Sequence, residues 1–310
     1  MRTFIADPEN NGQRVDRFIQ KKLPRLPFPL LAKTFRKRDV KVNGIRVKQN
    51  HIIFAGDKVE LYLPDDALEP HPENLTIPVI YEDKNIVIVN KPSGIAVISA
   101  AEPSVEKHLA QIYSSSGKDA PQKGFPSPCH RLDRNTGGLL LFAKNQASLD
   151  ILIDKFKNRE IEKKYICVVC GCPEKPYMEL ESFLVKDPEN SFVKVYDKKR
   201  AGAVQIKTNY RLLETTGELS LLEVRPITGR THQIRAHLAH IGYPVLGDGK
   251  YGKNAVNRKY GFKRQLLWST GLTFSFSTDA SILNYLNGMS FSLPHNSLDE
   301  ILKTGELVSK

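Results

Sequence analysis

Cys129-His130-Arg131-Leu132-Asp133-Arg134-Asn135-Thr136-Gly137-Gly138-Leu139-Leu140-Leu141 joins a charged turn to an apolar run. An acid stands between two arginines and leads through Thr-Gly-Gly into a leucine stretch of buried-strand character. An acid that merely caps a solvated helix does not need that setting. A carboxylate beside guanidinium groups, on a tight turn next to a buried strand, suits a nucleophile or a charge clamp. On these residues alone, a surface loop with an ordinary ion pair fits as well.

Outward from this turn, strand-like stretches outnumber helical ones. Upstream, Ile86-Val87-Ile88-Val89-Asn90 reads as a strand followed by Lys91-Pro92-Ser93-Gly94, and a helix is predicted from Pro103 to about Tyr113. Ser114 to Pro128 reads as a flexible loop. Downstream, Ala147 to Asn158 has helical spacing, with Leu149, Ile153 and Phe156 on one side. Strands are predicted at 164–170, 191–195, 204–213 and 219–224, then a helix from Thr231 to Ile241, then strands at 266–268 and 272–276. Many strands with few helices between them predict an α+β fold on a mixed, mainly antiparallel sheet flanked by helices and loops. This catalytic-sized domain is drawn at 79–290, with a tail at 291–310 that includes a short polar helix from about Asn296.

Residues 14–63 read as a separate small module. Arg14-Val15-Asp16-Arg17-Phe18-Ile19-Gln20 opens an amphipathic helix, and Leu30 to Arg38 suits a second. Val40-Lys41-Val42-Asn43-Gly44-Ile45-Arg46-Val47 alternates around Asn-Gly, a strong hairpin signal. Residues 64–78 contain four prolines and several acids and read as a linker.

The 310 residues carry a formal charge of +12, and residues 1–64 hold 14 Lys or Arg against 6 Asp or Glu. So concentrated an excess points to a polyanionic partner, the bland reading being a solvated basic face. Lys33, Arg36, Lys37, Arg38, Lys41, Arg46 and Lys48 are the candidate phosphate contacts, which would give affinity and placement rather than base choice. No apolar run approaches the ~20 residues of a membrane helix. The first residues lack a secretion signal, so a cytoplasmic protein without membrane partners is expected.

Cys167-Val168-Val169-Cys170 invites a zinc or redox reading, but in a β-branched run the two cysteines fall on opposite strand faces, and a second pair is missing. Buried structural thiols are expected at Cys167, Cys170 and Cys172. A second informative segment is Arg225-Pro226-Ile227-Thr228-Gly229-Arg230-Thr231-His232-Gln233-Ile234-Arg235-Ala236-His237-Leu238. It reads as strand, turn and helix, with Thr231 as the predicted cap and Arg230 at the junction, where side chains project into clefts. His232, His237 and His240 have no carboxylate to complete a zinc set, so capping, packing or RNA contact is favoured and no metal is expected.

Four separated segments resemble the RluA-type family of RNA pseudouridine synthases, in the family's order. They are Lys91-Pro92-Ser93-Gly94; His130-Arg131-Leu132-Asp133-Arg134-x-Thr136; Lys163-Lys164-Tyr165; and Gly229-Arg230-Thr231-His232-Gln233-Ile234-Arg235 followed by Gly247-Asp248-x-x-Tyr251-Gly252. The front module resembles the S4 RNA-binding domain in its Val-Asp-x-Phe-Ile, basic second helix, Val-x-Val-Asn-Gly and Gly-Asp-x-Val. Together the resemblance spans about residues 14–280. It implies an isomerase that detaches uracil from its ribose at N1, rotates it, and rejoins it through C5, without a cofactor. By the same resemblance Asp133 is the catalytic aspartate, Arg230 its paired arginine and Tyr165 the active-site aromatic. Arg131 would help extrude or replace the flipped base, and His130 is read as structural or RNA-contacting rather than as a general base. Large-subunit ribosomal RNA is the expected substrate, with transfer RNA as the other candidate, and a monomer is expected. The competing reading is a catalytically silent S4-type RNA-binding or ribosome-assembly protein. Two departures stand out: Gly137 occupies a position where the family usually has Ser, and Leu267-Trp268-Ser269 replaces a more usual Leu-His-Ala.

Overall fold

The computed structural model describes residues 2–23, 26, 28–62, 76–100, 102–114, 124–187 and 192–307, without the side chains of Pro29, Lys33 and Ser114. The chain divides into two compact units, Met1–Leu75 and Thr76–Lys310. Most of the predicted linker, together with the Lys33 side chain, lies outside the described residues.

In the first unit, strand Lys58–Leu61 pairs antiparallel with both Arg2–Ile5 and Val40–Val42. Val40–Val42 continues into Ile45–Arg46 through Asn43 and Gly44, whose φ angles of 50° and 79° are those the two-residue turn demands. Strand Arg2–Ile5 therefore extends this unit well before residue 14. Helices Val15–Lys22 and Phe28–Arg36 cover the strands, burying Phe18, Ile19, Leu31 and Phe35 against Val40, Val59 and Leu61. Each such apolar side chain contributes about 1.5–3 kcal/mol by leaving water.

The second unit is built on an eleven-stranded sheet. Its main path runs Phe192–Tyr196, Tyr177–Asp187, Val204–Thr216, Leu219–Pro226, Ile161–Cys170, Leu267–Phe274, Gly137–Ala143, Ile86–Lys91, Val79–Glu82. Every pairing on that path is antiparallel except Gly137–Ala143 with Leu267–Phe274, which is parallel. The leucine run of the opening segment is thus a central strand, and all seven of its residues are buried. Helix Gln146–Lys157 packs beside it, and helix Gln233–His240 packs on the strands around Ile206 and Val193.

Two expectations need correction. The stretch 291–310 is not a tail: Ser290–Ser292 adds a strand to Leu267–Phe274. Helix Leu298–Thr304, capped by Ser297 and Glu300, buries Leu298 and Ile301, with Leu307 beyond its end, against Ile166, Val168, Leu221 and Trp268. Cys172 is exposed, whereas Cys129, Cys167 and Cys170 are buried.

Candidate active site

Asp133 sits on the loop that enters the central strand Gly137–Ala143, and that loop is tied down from outside. The Lys91 ammonium donates to the carbonyls of Arg134 at 2.8 Å, Ile95 at 2.7 Å and Pro92 at 3.0 Å. The Gly94 N–H donates to the same Arg134 carbonyl, and the Ser93 hydroxyl to that of Asn135, both at 2.9 Å. Gln265 donates to the Thr136 hydroxyl at 2.7 Å. Lys-Pro-Ser-Gly is therefore the clamp on the acid-bearing turn. Lys91 is 1% exposed, and burial pushes its amine down to about 7, a shift the Asp133 charge opposes and Arg134 reinforces.

Gly138 takes φ +100°, and its Cα lies against the Ser269 backbone, so a side chain has no room there. Gly137 is compact for a different reason. It lies opposite Trp268 in the parallel ladder, and a Cβ on it would stand 2.7 Å from Trp268 Cδ1. The two departures from the family pattern are thus one packing solution: the indole fills the space a serine side chain would take.

The guanidinium on Asp133 comes from neither flanking arginine. Arg134 turns away to pair with Glu102. Nor does it come from Arg230, which is exposed, lines the same cleft and makes no ion pair with an acid among the described residues. The partner is Arg235, on helix Gln233–His240, whose Nη1 donates to Asp133 Oδ2 at 2.7 Å across 102 residues of sequence. Arg235 is aimed by Asp248, which accepts from its Nε at 2.7 Å and its Nη2 at 2.8 Å. Burial alone would raise the Asp248 carboxyl, but the Arg235 bonds and the N–H groups of Lys250 and Tyr251 hold it below its ordinary value. The Tyr251 ring lies 5.2 Å beneath the Arg235 guanidinium and stacks on Phe192 at 4.5 Å.

Gln233 rather than Thr231 organises the start of that helix. Its amide accepts from the Thr228 hydroxyl and the Arg230 N–H, and donates to the Lys207 carbonyl and the Thr208 hydroxyl, all at 2.8–3.0 Å. The N-cap position falls on His232, in the left-handed region at φ 53°, without a capping side-chain bond.

Tyr165, on strand Ile161–Cys170, lies opposite Val224 and Ser269, and the residue is 7% exposed. Burial pushes its phenol up, and the Asp133 charge adds to the shift, so the hydroxyl stays protonated. Asp133, Tyr165, Arg131, Lys163, Arg230 and Arg235 all line one cleft. His130 turns away from solvent chemistry. Its Nε2 accepts from the Leu141 N–H at 3.2 Å, its ring packs on Phe156 at 4.9 Å, and burial brings it down to about 3. Those contacts brace it against the central strand.

Of the basic residues singled out in the first unit, Arg36, Lys37, Arg38, Arg46 and Lys48 are exposed, and Lys41 stands over the Tyr62 ring at 5.2 Å. None of the six pairs with an acid among the described residues, whereas Arg14, Lys22 and Lys58 do. Sequence reasoning missed Arg235, Asp248 and Lys163. A signal for the first existed: Arg235 shares a helical face with Leu238, and a charge on an apolar face calls for a buried partner.

A family model for RNA pseudouridylate synthases matches residues 85–240. Ribosomal large subunit pseudouridine synthase C of Vibrio cholerae is 31% identical over 282 residues, 86% of this chain and 87% of that protein. The synthase C of Escherichia coli K12 is 30% identical, covering 85% of each chain. The synthase D of Borreliella burgdorferi is 35% identical over 69% of this chain and 68% of its own. Among solved structures, human RNA pseudouridylate synthase domain containing 4 shares the fold at a TM-score of 0.55, with 23% identity, 70% of this chain and 87% of that one covered.

Proposed function

The chain belongs to the RNA pseudouridylate synthase family and is an isomerase, and we propose that it converts uridine to pseudouridine in large-subunit ribosomal RNA with Asp133 as its catalytic aspartate. The substrate class follows the names of its relatives. The observation that carries the residue assignment is the division of labour on the Asp133 carboxylate. Oδ2 is held by Arg235, Oδ1 accepts no hydrogen bond among the described residues, and Asp133 lines the same cleft as Tyr165.

An ionised carboxylate with one oxygen anchored and one open is the arrangement needed to engage the sugar C1′ or the pyrimidine ring. The buried salt bridge to Asp248 fixes Arg235, so the acid is pre-positioned before substrate arrives. Tyr165 supplies a ring against which an extruded uracil stacks, and its protonated phenol stands in the same cleft. Arg131, exposed at the cleft, takes the place of the extruded base, and Arg230 is reassigned to contact with the RNA. The first unit, by its unpaired cations, holds RNA phosphates in the manner of an S4 domain.

The test is incubation with ribosomal RNA from a strain lacking the gene, with pseudouridine mapped by carbodiimide modification and primer extension. Wild-type protein is expected to introduce pseudouridine at one or more positions and Asp133→Ala at none. Tight binding by both proteins with no new pseudouridine would replace this reading by a silent RNA binder.

A further inference from the structure

Beside the open oxygen of Asp133 stands an imidazole whose orientation is fixed by a chain of hydrogen bonds. The Val193 N–H donates to Tyr251 Oη at 3.0 Å, and Tyr251 Oη lies 2.9 Å from His232 Nδ1. Tyr251 Oη already accepts from Val193, so the arrangement that leaves no proton unpaired has the phenol donating to Nδ1. His232 is then the Nε2–H tautomer, and burial favours its neutral form. That Nε2 lies 3.9 Å from Asp133 Oδ1, too far for a hydrogen bond and close enough for one oxygen to bridge the two. The ring also meets Tyr251 edge-on, and the residue pays for its place with a left-handed backbone that non-glycine residues seldom adopt.

A bridging atom at this point must donate to a carboxylate and accept from an imidazole N–H. A hydroxyl does both, and a ring ether oxygen does only the second. If Oδ1 meets the sugar at C1′, the hydroxyl one carbon away is the 2′-hydroxyl. We propose that His232, oriented by Tyr251, is the residue that reads the 2′-hydroxyl of the target uridine, bridging it with Asp133 and so selecting ribose over deoxyribose. The inference rests on the reading of Asp133 given above. It makes His232 a specificity-determining contact, and Tyr251 a positioning residue that acts through it.

The experiment uses the full chain and two stem-loop RNAs around a uridine that the wild type converts, one with uridine and one with 2′-deoxyuridine at that position. Single-turnover rates are measured with enzyme in excess. Wild type is expected to convert the ribose strand at least about tenfold faster, since the deoxy sugar forfeits both hydrogen bonds of the bridge. His232→Phe is expected to slow the ribose strand several-fold and leave the deoxy strand unchanged, narrowing the preference to what the bond to Asp133 still gives. His232→Gln, which restores an N–H donor at similar reach, is expected to recover most of it. Tyr251→Phe keeps the ring stack and removes only the orienting hydroxyl, so it serves where His232→Phe does not fold, and a partial loss of preference is expected. Equal slowing of both strands by these variants, or an unchanged preference, overturns the proposal. So does a deoxy strand that no protein converts, since the hydroxyl would then serve chemistry that His232 does not govern. A wild type that converts no RNA removes the reading of Asp133 as well, which the mapping experiment reports independently.

Discussion

Asp133 owes its geometry to a residue two steps removed, because Asp248 fixes Arg235 and Arg235 fixes the acid. Arg235→Lys keeps the charge but loses the fork that spans two carboxylates. It is expected to cut kcat more than it raises KM and to destabilise the fold. Asp248→Asn is expected to cost about 3–5 kcal/mol in urea unfolding, since it leaves a buried guanidinium short of a partner. A loss under 1 kcal/mol would mean that Arg235 is held by something else. The acid was legible in the sequence because its two neighbours and its glycine turn are contiguous. Its partner was not, because Arg230 and Arg235 lie in the same motif and only the helix register decides which one points inward. The Gly137–Trp268 contact was invisible for a related reason: a parallel strand pairing brings together two residues far apart in the chain. Gly137→Ser is expected to destabilise by about 1–3 kcal/mol through overpacking. Adding Trp268→His is expected to recover at least about 1 kcal/mol of that loss in a double-mutant cycle, and strict additivity would refute the coupling.

At the scale of elements, the site is a turn stapled between two strands, and Lys91 is the staple. The unfolded chain holds the Lys91 proton up to its ordinary value of 10.5, and the folded chain releases it at about 7. Between those values the unfolded state binds more protons, so this residue's contribution to stability rises with pH across that window. The expected result is a urea midpoint that climbs from pH 7 to pH 10 more steeply in wild type than in Lys91→Met. Parallel curves for the two proteins would show that the buried amine does not titrate there. Most elements of the sheet could be read from their apolar character, including the central leucine strand. Strand Tyr177–Asp187 could not, because only Leu180, Ser182 and Leu184 along its length are buried and its other face mixes Glu179, Glu181 and Asp187 with apolar residues. The helix at Leu298–Thr304 looked like a polar tail for the same reason: two buried residues in one turn give too short a period to recognise.

Over the whole molecule, the net charge is divided between two tasks. In the second unit the arginine nearest the acid is neutralised by Asp248 and Asp133, so it positions chemistry and attracts little from solution. In the first unit Arg36, Lys37, Arg38, Arg46 and Lys48 face solvent and form no ion pair among the described residues, on the second helix, its following turn and the hairpin. That difference was legible as a local excess of charge, although only the folded unit separates these cations from Arg14, Lys22 and Lys58, which are internally paired. The unpaired set is the one that can release counterions when it meets phosphate. Each phosphate neutralised contributes about 0.7–0.9 to the slope of log affinity against log salt. Replacing Arg36, Lys37 and Arg38 together by Gln is therefore expected to make that slope shallower by about 2 on an rRNA fragment, and to raise KM far more than it lowers kcat. Because surface cations add little to folding, the thermal midpoint should stay within the small range typical of exposed substitutions. The same substitutions made at Arg14, Lys22 and Lys58 should leave the salt slope nearly unchanged, since those charges are already satisfied by acids. A slope that responds equally to both sets would mean that RNA senses only the total charge of the unit, and that the arrangement of helix and hairpin has no part in holding it.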